Sequence, residues 1–147
     1  MSGTTGGGLD GNTDGYSNDI FLVKYNSSGT KQWTKQLGVE SLGDEGRGVS
    51  TDSSGNIYVT GQTWGNLDGN TNSGFSDIFL VKYNSSGTKQ WTKQLGTTEG
   101  DYGFGVTTDS SGNIYVTGFT YGDLDGNTSS GNSDIIIVKY DSSGTKQ

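Results

Sequence analysis

Neither cysteine nor histidine occurs anywhere in the 147 residues. Their absence removes thiol nucleophiles, disulfides, Ser-His-Asp catalysis and thiolate or imidazole metal sites. Hydrophobic side chains are also scarce, at 27% of the chain, against about 45 to 50% (glycine included) in ordinary globular domains. Positive charge is short too: nine Lys and Arg face sixteen Asp and Glu, a net charge of -7 with an isoelectric point near 4.3. An acidic surface without a basic stripe opposes a phosphate backbone and an anionic membrane alike. No stretch carries the apolar period of 3.6 over a helical length, so essentially no helix is expected. Met1 to Gly8 shows neither a basic start nor an apolar run, so neither a signal peptide nor a membrane span is expected in the chain as written.

What the sequence does hold is repetition. The segment Asp19 to Gly38, DIFLVKYNSSGTKQWTKQLG, returns unchanged at Asp77 to Gly96, and a third copy begins at Asp134 as DIIIVKYDSSGTKQ. TDSSGNIYVTG at Thr51 to Gly61 returns at Thr108 to Gly118, and LDGNT starts at Leu9, Leu67 and Leu124. Such identity marks tandem duplication. Asp19 to Asp77 is 58 residues, and Asp77 to Asp134 is 57. The odd residue lies between Leu37 and Val49, which marks that stretch as a surface connection.

Each unit reads as four strands, A to D. Strand A is the short glycine-flanked segment Gly48 to Thr51 and Gly105 to Thr108. Strand B is Asn56 to Gly61 and Asn113 to Gly118, where Ile, Tyr, Val and Thr favour extended backbone. Strand C, Asp19 to Tyr25, Asp77 to Tyr83 and Asp134 to Tyr140, is nearly continuous in apolar residues and so is expected to be buried on both faces. Strand D, Gln32 to Leu37 and Gln90 to Leu95, alternates with the period of two of a half-exposed strand. Asp52-Ser53-Ser54-Gly55 joins A to B and Asn26-Ser27-Ser28-Gly29 joins C to D. Both are type I turns closed by a glycine at positive φ. The gradient from a crowded strand A to a half-wet strand D describes a propeller blade running from hub to rim. The expected fold is all-β, a β-propeller of four-stranded antiparallel blades. Residues 1–38 supply the end of strand B with C and D, 46–96 a complete blade, and 103–147 strands A to C.

The unit GFGVTTDSSGNIYVTGFT, followed by LDGNT and SDIIIVKYDSSGTKQ, resembles the bacterial SBBP-type β-propeller repeat. The resemblance covers nearly the whole chain. It implies a propeller fold and an extracellular or cell-surface bacterial setting, and it carries no catalytic residues to transfer.

About 2.5 blades cannot close a ring, since propellers need roughly four to eight. Apolar faces and strand edges at both ends are therefore expected to meet another copy, giving a homo-oligomeric ring of about five blades from two chains, or a filament where the rotation does not close. The expected function is that of a non-enzymatic structural or interaction module.

The alternative is a carbohydrate-binding propeller with repeated, calcium-dependent sites. Its metal ligands would be Asp10, Asn12 and Asp14, Asp68, Asn70 and Asn72, and Asp125 and Asn127 with Ser129 in the third place. Oxygen donors at alternate positions suit a hard cation, and the same residues also build Asx turns. Its stacking residues would be Trp64, Phe119 and Tyr121, placed just past strand B. Trp33, Trp91 and Tyr16 could stack on sugar rings as well, although Trp33 and Trp91 are expected to pack between blades. Glu40, Asp44, Glu45, Glu99 and Asp101 are expected in a solvated loop between D and A. Gly6, Gly8 and Gly11 match a dinucleotide motif in letters alone, with no strand-to-helix unit around them. Asn26 begins an N-glycosylation pattern that turn formation already explains.

Overall fold

The four-residue polar turns decide the local structure. In the first, the Asn26 side-chain oxygen accepts from the backbone N–H of Ser28 at 3.1 Å and of Thr30 at 2.8 Å. Gly29, at φ 79°, closes the turn onto the Asn26 carbonyl at 3.0 Å. A bulge at Lys24 and Tyr25 accommodates it. Asp52, Asn84, Asp109 and Asp141 organise their own turns in the same way. Each such turn reverses the chain and sets the register of the strands it joins.

The computed structural model describes residues 1–12 and 17–147. Within them the chain forms ten strands in three antiparallel sheets. The first sheet holds β1 (Ser2–Thr5), β2 (Asp19–Tyr25) and β3 (Lys31–Leu37). The second holds β4 (Asp44–Thr51), β5 (Ile57–Thr63), β6 (Asp77–Tyr83) and β7 (Lys89–Leu95). The third holds β8 (Asp101–Thr108), β9 (Ile114–Thr120) and β10 (Asp134–Tyr140). Strand order within each sheet follows chain order. Single 3-10 turns at Leu67–Gly69 and Leu124–Gly126 precede β6 and β10. No helix among the described residues is long and apolar enough to cross a membrane.

The innermost strand departs from expectation. It begins four residues earlier, at Asp44 and Asp101, and the last two glycines of GDEGRG and of GDYGFG lie inside it around a bulge between Gly46 and Gly48 and between Gly103 and Gly105. Glycine there serves close packing: a side chain at Gly46 would meet the Gly3 carbonyl at 2.9 Å, and one at Gly103 would meet that of Gly61 at 2.8 Å. Inner strands thus stack nearly backbone to backbone on the preceding sheet, a contact that a glycine-rich sequence permits and a Cβ prevents.

The core lies between sheets. At the first junction Ile20 and Leu22 of β2 pack on Ile57, Val59, Phe79, Val81 and Tyr83 of the second sheet, with Leu67. At the second, Tyr58, Ile78 and Leu80 pack on Ile114, Val116, Ile136, Val138 and Tyr140 of the third, with Leu124. Burying each such aliphatic side chain contributes about 1.5–3 kcal/mol. Among the described residues only the middle sheet is covered on both sides: β6 is buried at six of its seven positions, whereas β10 buries Ile136, Val138 and Tyr140 and exposes its other face. Two-faced burial of strand C therefore holds for β6 and fails for β10.

Candidate functional site

Three features could carry chemistry or recognition: the LDGN loops, the carboxylates at the sheet junctions, and the outer face of the third sheet.

Asp10, Asp68 and Asp125 each adopt a left-handed backbone, with φ of 53°, 57° and 56°, a conformation aspartate tolerates better than most residues. Their carboxylates are engaged by side chains from elsewhere in the chain. Asp68 pairs with Lys89 and accepts from the Thr92 hydroxyl. Asp10 pairs with Lys31 at 2.6 Å and accepts from Thr34, and Asp125 pairs with Lys146. Asn12, Asn70 and Asn127 donate through their amides to the carbonyls of Leu9, Leu67 and Leu124 at 2.6, 2.8 and 3.0 Å. Asn72 accepts from Gly74 N–H at 2.7 Å, and Ser129 donates its N–H to Asp123. The three aspartates are thus engaged by a lysine, and the amide nitrogens of the three asparagines close the loop. Asp14 and Tyr16 lie outside the described residues. Among the described residues no group of three or more acidic side chains is placed to hold a metal ion.

The carboxylates expected in a solvated loop divide differently. Asp44 and Asp101 open the inner strands and are fully buried. Asp44 meets Asp19, and Asp101 meets Asp77, across the two sheet junctions. The backbone N–H of Asp44 donates to the Asn18 carbonyl at 2.7 Å and that of Asp101 to the Ser76 carbonyl at 2.8 Å, which draws each inner strand onto the start of the preceding strand C. One oxygen of each carboxylate is satisfied: Asp19 accepts from Gln36 at 2.8 Å, Asp44 from Val39 N–H at 2.7 Å, Asp77 from Ser73 N–H at 2.9 Å and Asp101 from Thr97 N–H at 2.6 Å. The other oxygen of all four has no hydrogen-bond partner among the described residues. Burial pushes the Asp44 carboxyl up to about 6, with the Asp19 charge adding to the rise. Burial likewise raises Asp77, with Asp101 adding. Spacing concealed this pairing, because its members belong to different repeats and the loop between them changes length. Glu40 and Glu99 remain exposed, and Glu45 binds Arg47 at 2.8 Å and Gln62 at 3.2 Å on the face between sheets two and three.

The third feature is aromatic. Phe119 and Tyr121 meet edge to face with centroids 5.4 Å apart, and Tyr102 joins them at 4.9 and 6.1 Å. Phe104 lies 5.3 Å from Phe119 and carries Arg47 over its ring at 4.7 Å. Phe119 is within β9, not beyond it. Trp64 stands apart just past β5, where its backbone N–H donates to the Gly43 carbonyl at 3.1 Å. Repeat spacing places Tyr102, Phe104 and Phe119 where the second sheet has Glu45, Arg47 and Gln62. The same face carries Ile135 and Ile137, exposed to 88% and 72%, whereas the corresponding Ile78 and Leu80 are exposed to 3% and 1% beneath the third sheet. Trp33 and Trp91 pack on the turns of the following sheet, against Gly87 and Gly144.

The profile of the SBBP β-propeller repeat matches residues 32–68 and 90–125, each match running from the outer strand of one sheet to the LDG turn of the next. The regulatory protein FlaEY of Caulobacter vibrioides is 28% identical over 140 residues, which are 88% of this chain and 15% of that protein. An uncharacterized WD repeat-containing protein, L264, of Acanthamoeba polyphaga mimivirus is 30% identical over 118 residues, 69% of this chain and 8% of that protein. The chain thus spans a small part of the length of these relatives.

Proposed function

Because the chain belongs to the SBBP β-propeller repeat family, we propose that it is a non-enzymatic structural and interaction module whose activity is sheet-on-sheet docking. It self-assembles head to tail through the outer face of its third sheet. The observation carrying this reading is the contrast between Ile135 and Ile137, open to solvent, and Ile78 and Leu80, buried at the corresponding places.

The complement is also in the chain. Internally, this face always receives the apolar side of the next strand C, as Ile78 and Leu80 receive Ile136 and Val138. The first sheet presents Phe21, Val23 and Tyr25 in that position, along a groove of about 410 Å³. A face that meets a different surface of a second copy makes a heterologous contact, which closes into a ring or runs on as a filament according to its rotation. Three sheets fall short of the roughly four blades of the smallest closed propellers, so further sheets are needed for closure. A longer relative would supply them in the same chain.

Native mass spectrometry of the wild type and of Ile135→Lys with Ile137→Lys tests the proposal. The wild type should form concentration-dependent oligomers, and the double variant should stay folded and monomeric. A wild type that remains monomeric at high micromolar concentration overturns self-assembly and leaves docking to sheets of the same polypeptide.

A second reading, carbohydrate binding, is favoured by the Tyr102, Phe119 and Tyr121 cluster, since aromatic faces stack on sugar rings. A glycan array separates the two readings: selective binding lost in Tyr121→Ala supports the second, and a blank array supports the first. Calcium dependence of any binding would be read on the same array with chelator present.

A further inference from the structure

Sheet docking accounts for the exposure of Ile135 and Ile137, and it leaves Leu42 and Phe75 unexplained. These two are exposed to 43% and 64%, yet both lie in connections beyond the strand ends, Leu42 between β3 and β4 and Phe75 between β5 and β6. Sheets stacked on either side would not cover them. Leu42 N–H donates to the Val39 carbonyl at 3.2 Å, closing a four-residue turn whose third residue, Ser41, has φ 64°. Turns ordinarily place glycine or asparagine at such a position, and backbone strain of this kind gathers at ligand clamps. Ser17 pins the turn by donating its hydroxyl to the Leu42 carbonyl at 2.6 Å. Trp64 lies against it: a Cβ at Gly65 would meet Leu42 Cδ1 at 2.8 Å, and one at Gly43 would meet the indole at 3.4 Å.

The next junction repeats the arrangement with different letters. Ser76 and Gly100 form a parallel bridge, so Phe75 and Glu99, each one residue ahead, are neighbours. Ser17 and Leu42 hold the same two places one repeat earlier. One junction therefore combines Leu42 with Glu40, and the other combines Phe75 with Glu99. Both glutamates are exposed, and neither forms an ion pair among the described residues. Residues 38–43, 64–76 and 96–100 contain no Lys or Arg. Each junction thus presents an apolar side chain beside a carboxylate that no cation neutralises.

We propose that these connections form a docking surface for an extended cationic segment of another protein, in which lysine or arginine alternates with apolar residues. Charge fixes the sign of the partner. An anionic segment would be repelled by Glu40 and Glu99, whereas lysine or arginine pairs with both and lays its aliphatic stem on Leu42, Trp64 or Phe75. Stacked sheets lie about 10 Å apart and an extended chain rises about 3.3 Å per residue, so about three residues carry the segment from one junction to the next. The surface shares no residue with the self-assembly face and stands without it.

The probe is a dye-labelled peptide of about six residues, alternating lysine and leucine, long enough to reach both junctions. Fluorescence anisotropy against the full chain should show saturable binding that weakens with added salt. Two double variants divide the contributions: Leu42→Ser with Phe75→Ser, which leaves the charge unchanged, and Glu40→Gln with Glu99→Gln. Each should weaken binding about tenfold or more. All four side chains are exposed, so both variants should melt as the wild type does. Ile135→Lys with Ile137→Lys should bind the peptide as the wild type does, whatever its oligomeric state. No binding by the wild type, binding that survives either loop variant, or equal binding of a peptide with serine in place of leucine overturns the proposal. So does a changed oligomeric state of either loop variant on native mass spectrometry, which would assign the surface to a second copy.

Discussion

Trp33 and Gly87 belong to different sheets and touch: a Cβ at Gly87 would stand 2.9 Å from the indole Cε2. Gly87 closes the β6–β7 turn at φ 81°, and its missing side chain lets the ring of the preceding sheet lie on the turn. Trp91 makes the same contact with Gly144. The turn glycine thus serves two ends, the left-handed backbone and the seat of a tryptophan.

Alanine scanning separates these two roles. Gly29 closes an identical turn at φ 79° with nothing near its would-be Cβ, so Gly29→Ala should cost only the conformational part, about 1 kcal/mol. Gly87→Ala should cost that plus displacement of the ring, about 2–3 kcal/mol in all. Thermal unfolding of the two variants provides the comparison, and equal losses would mean that the tryptophan contact contributes nothing.

The buried aspartates set an unusual pH dependence. Asp44, raised to about 6, and Asp77, also raised, favour the protonated form in the folded protein. Their contribution is fully present below the ordinary carboxylate value and is lost as pH rises through the folded one. Asp10, held down by Lys31, and Asp141, held down by Ser143, act oppositely and lose their contribution as pH falls. Melting temperature should therefore rise from pH 7.5 to about pH 5 and drop again under stronger acid. Asp44→Asn removes one ionisation while keeping an acceptor for Val39. It should raise stability at pH 7 by on the order of 1–3 kcal/mol and flatten the slope between pH 5 and 7. A profile unchanged by this substitution would locate the titration elsewhere.

Tyr58 and Tyr115 each donate a hydroxyl to an aspartate of their own turn, Asp52 and Asp109, at 3.0 Å. Only Tyr58 is fully buried. Tyr58→Phe should cost about 1–1.5 kcal/mol and Tyr115→Phe distinctly less. Chemical denaturation reads the difference, and the reverse order would show that burial is not what strengthens the bond.

Calcium should leave the melting temperature unchanged, because Asp68 is held by Lys89 and Thr92. Lys89→Ala frees one carboxylate oxygen, and any calcium response should appear first in that variant. A calorimetric titration showing tight binding to the wild type would mean that the cation displaces lysine.

Much of the fold is legible along the chain because its causes are local. Strand C is legible to the residue, since Asp19, Asp77 and Asp134 each begin an apolar run that a polar turn ends. The turns were equally plain, as Asx, serine and glycine act within four residues. The start of the inner strand is not legible, because Asp44, Glu45 and Gly46 have the composition of a loop. They become strand only through their pairing with Thr63, Gln62 and Gly61.

Sequence by itself determined the repeat, the all-β class and the turn chemistry, because periodicity and backbone preference are properties of neighbouring residues. Tertiary structure alone decided that Asp19 meets Asp44, that Lys89 pairs with Asp68, and that Ile135 is wet where Ile78 is dry. Each of these depends on which sheet stacks on which, and identical letters acquire different burial when only one has a neighbour to cover it.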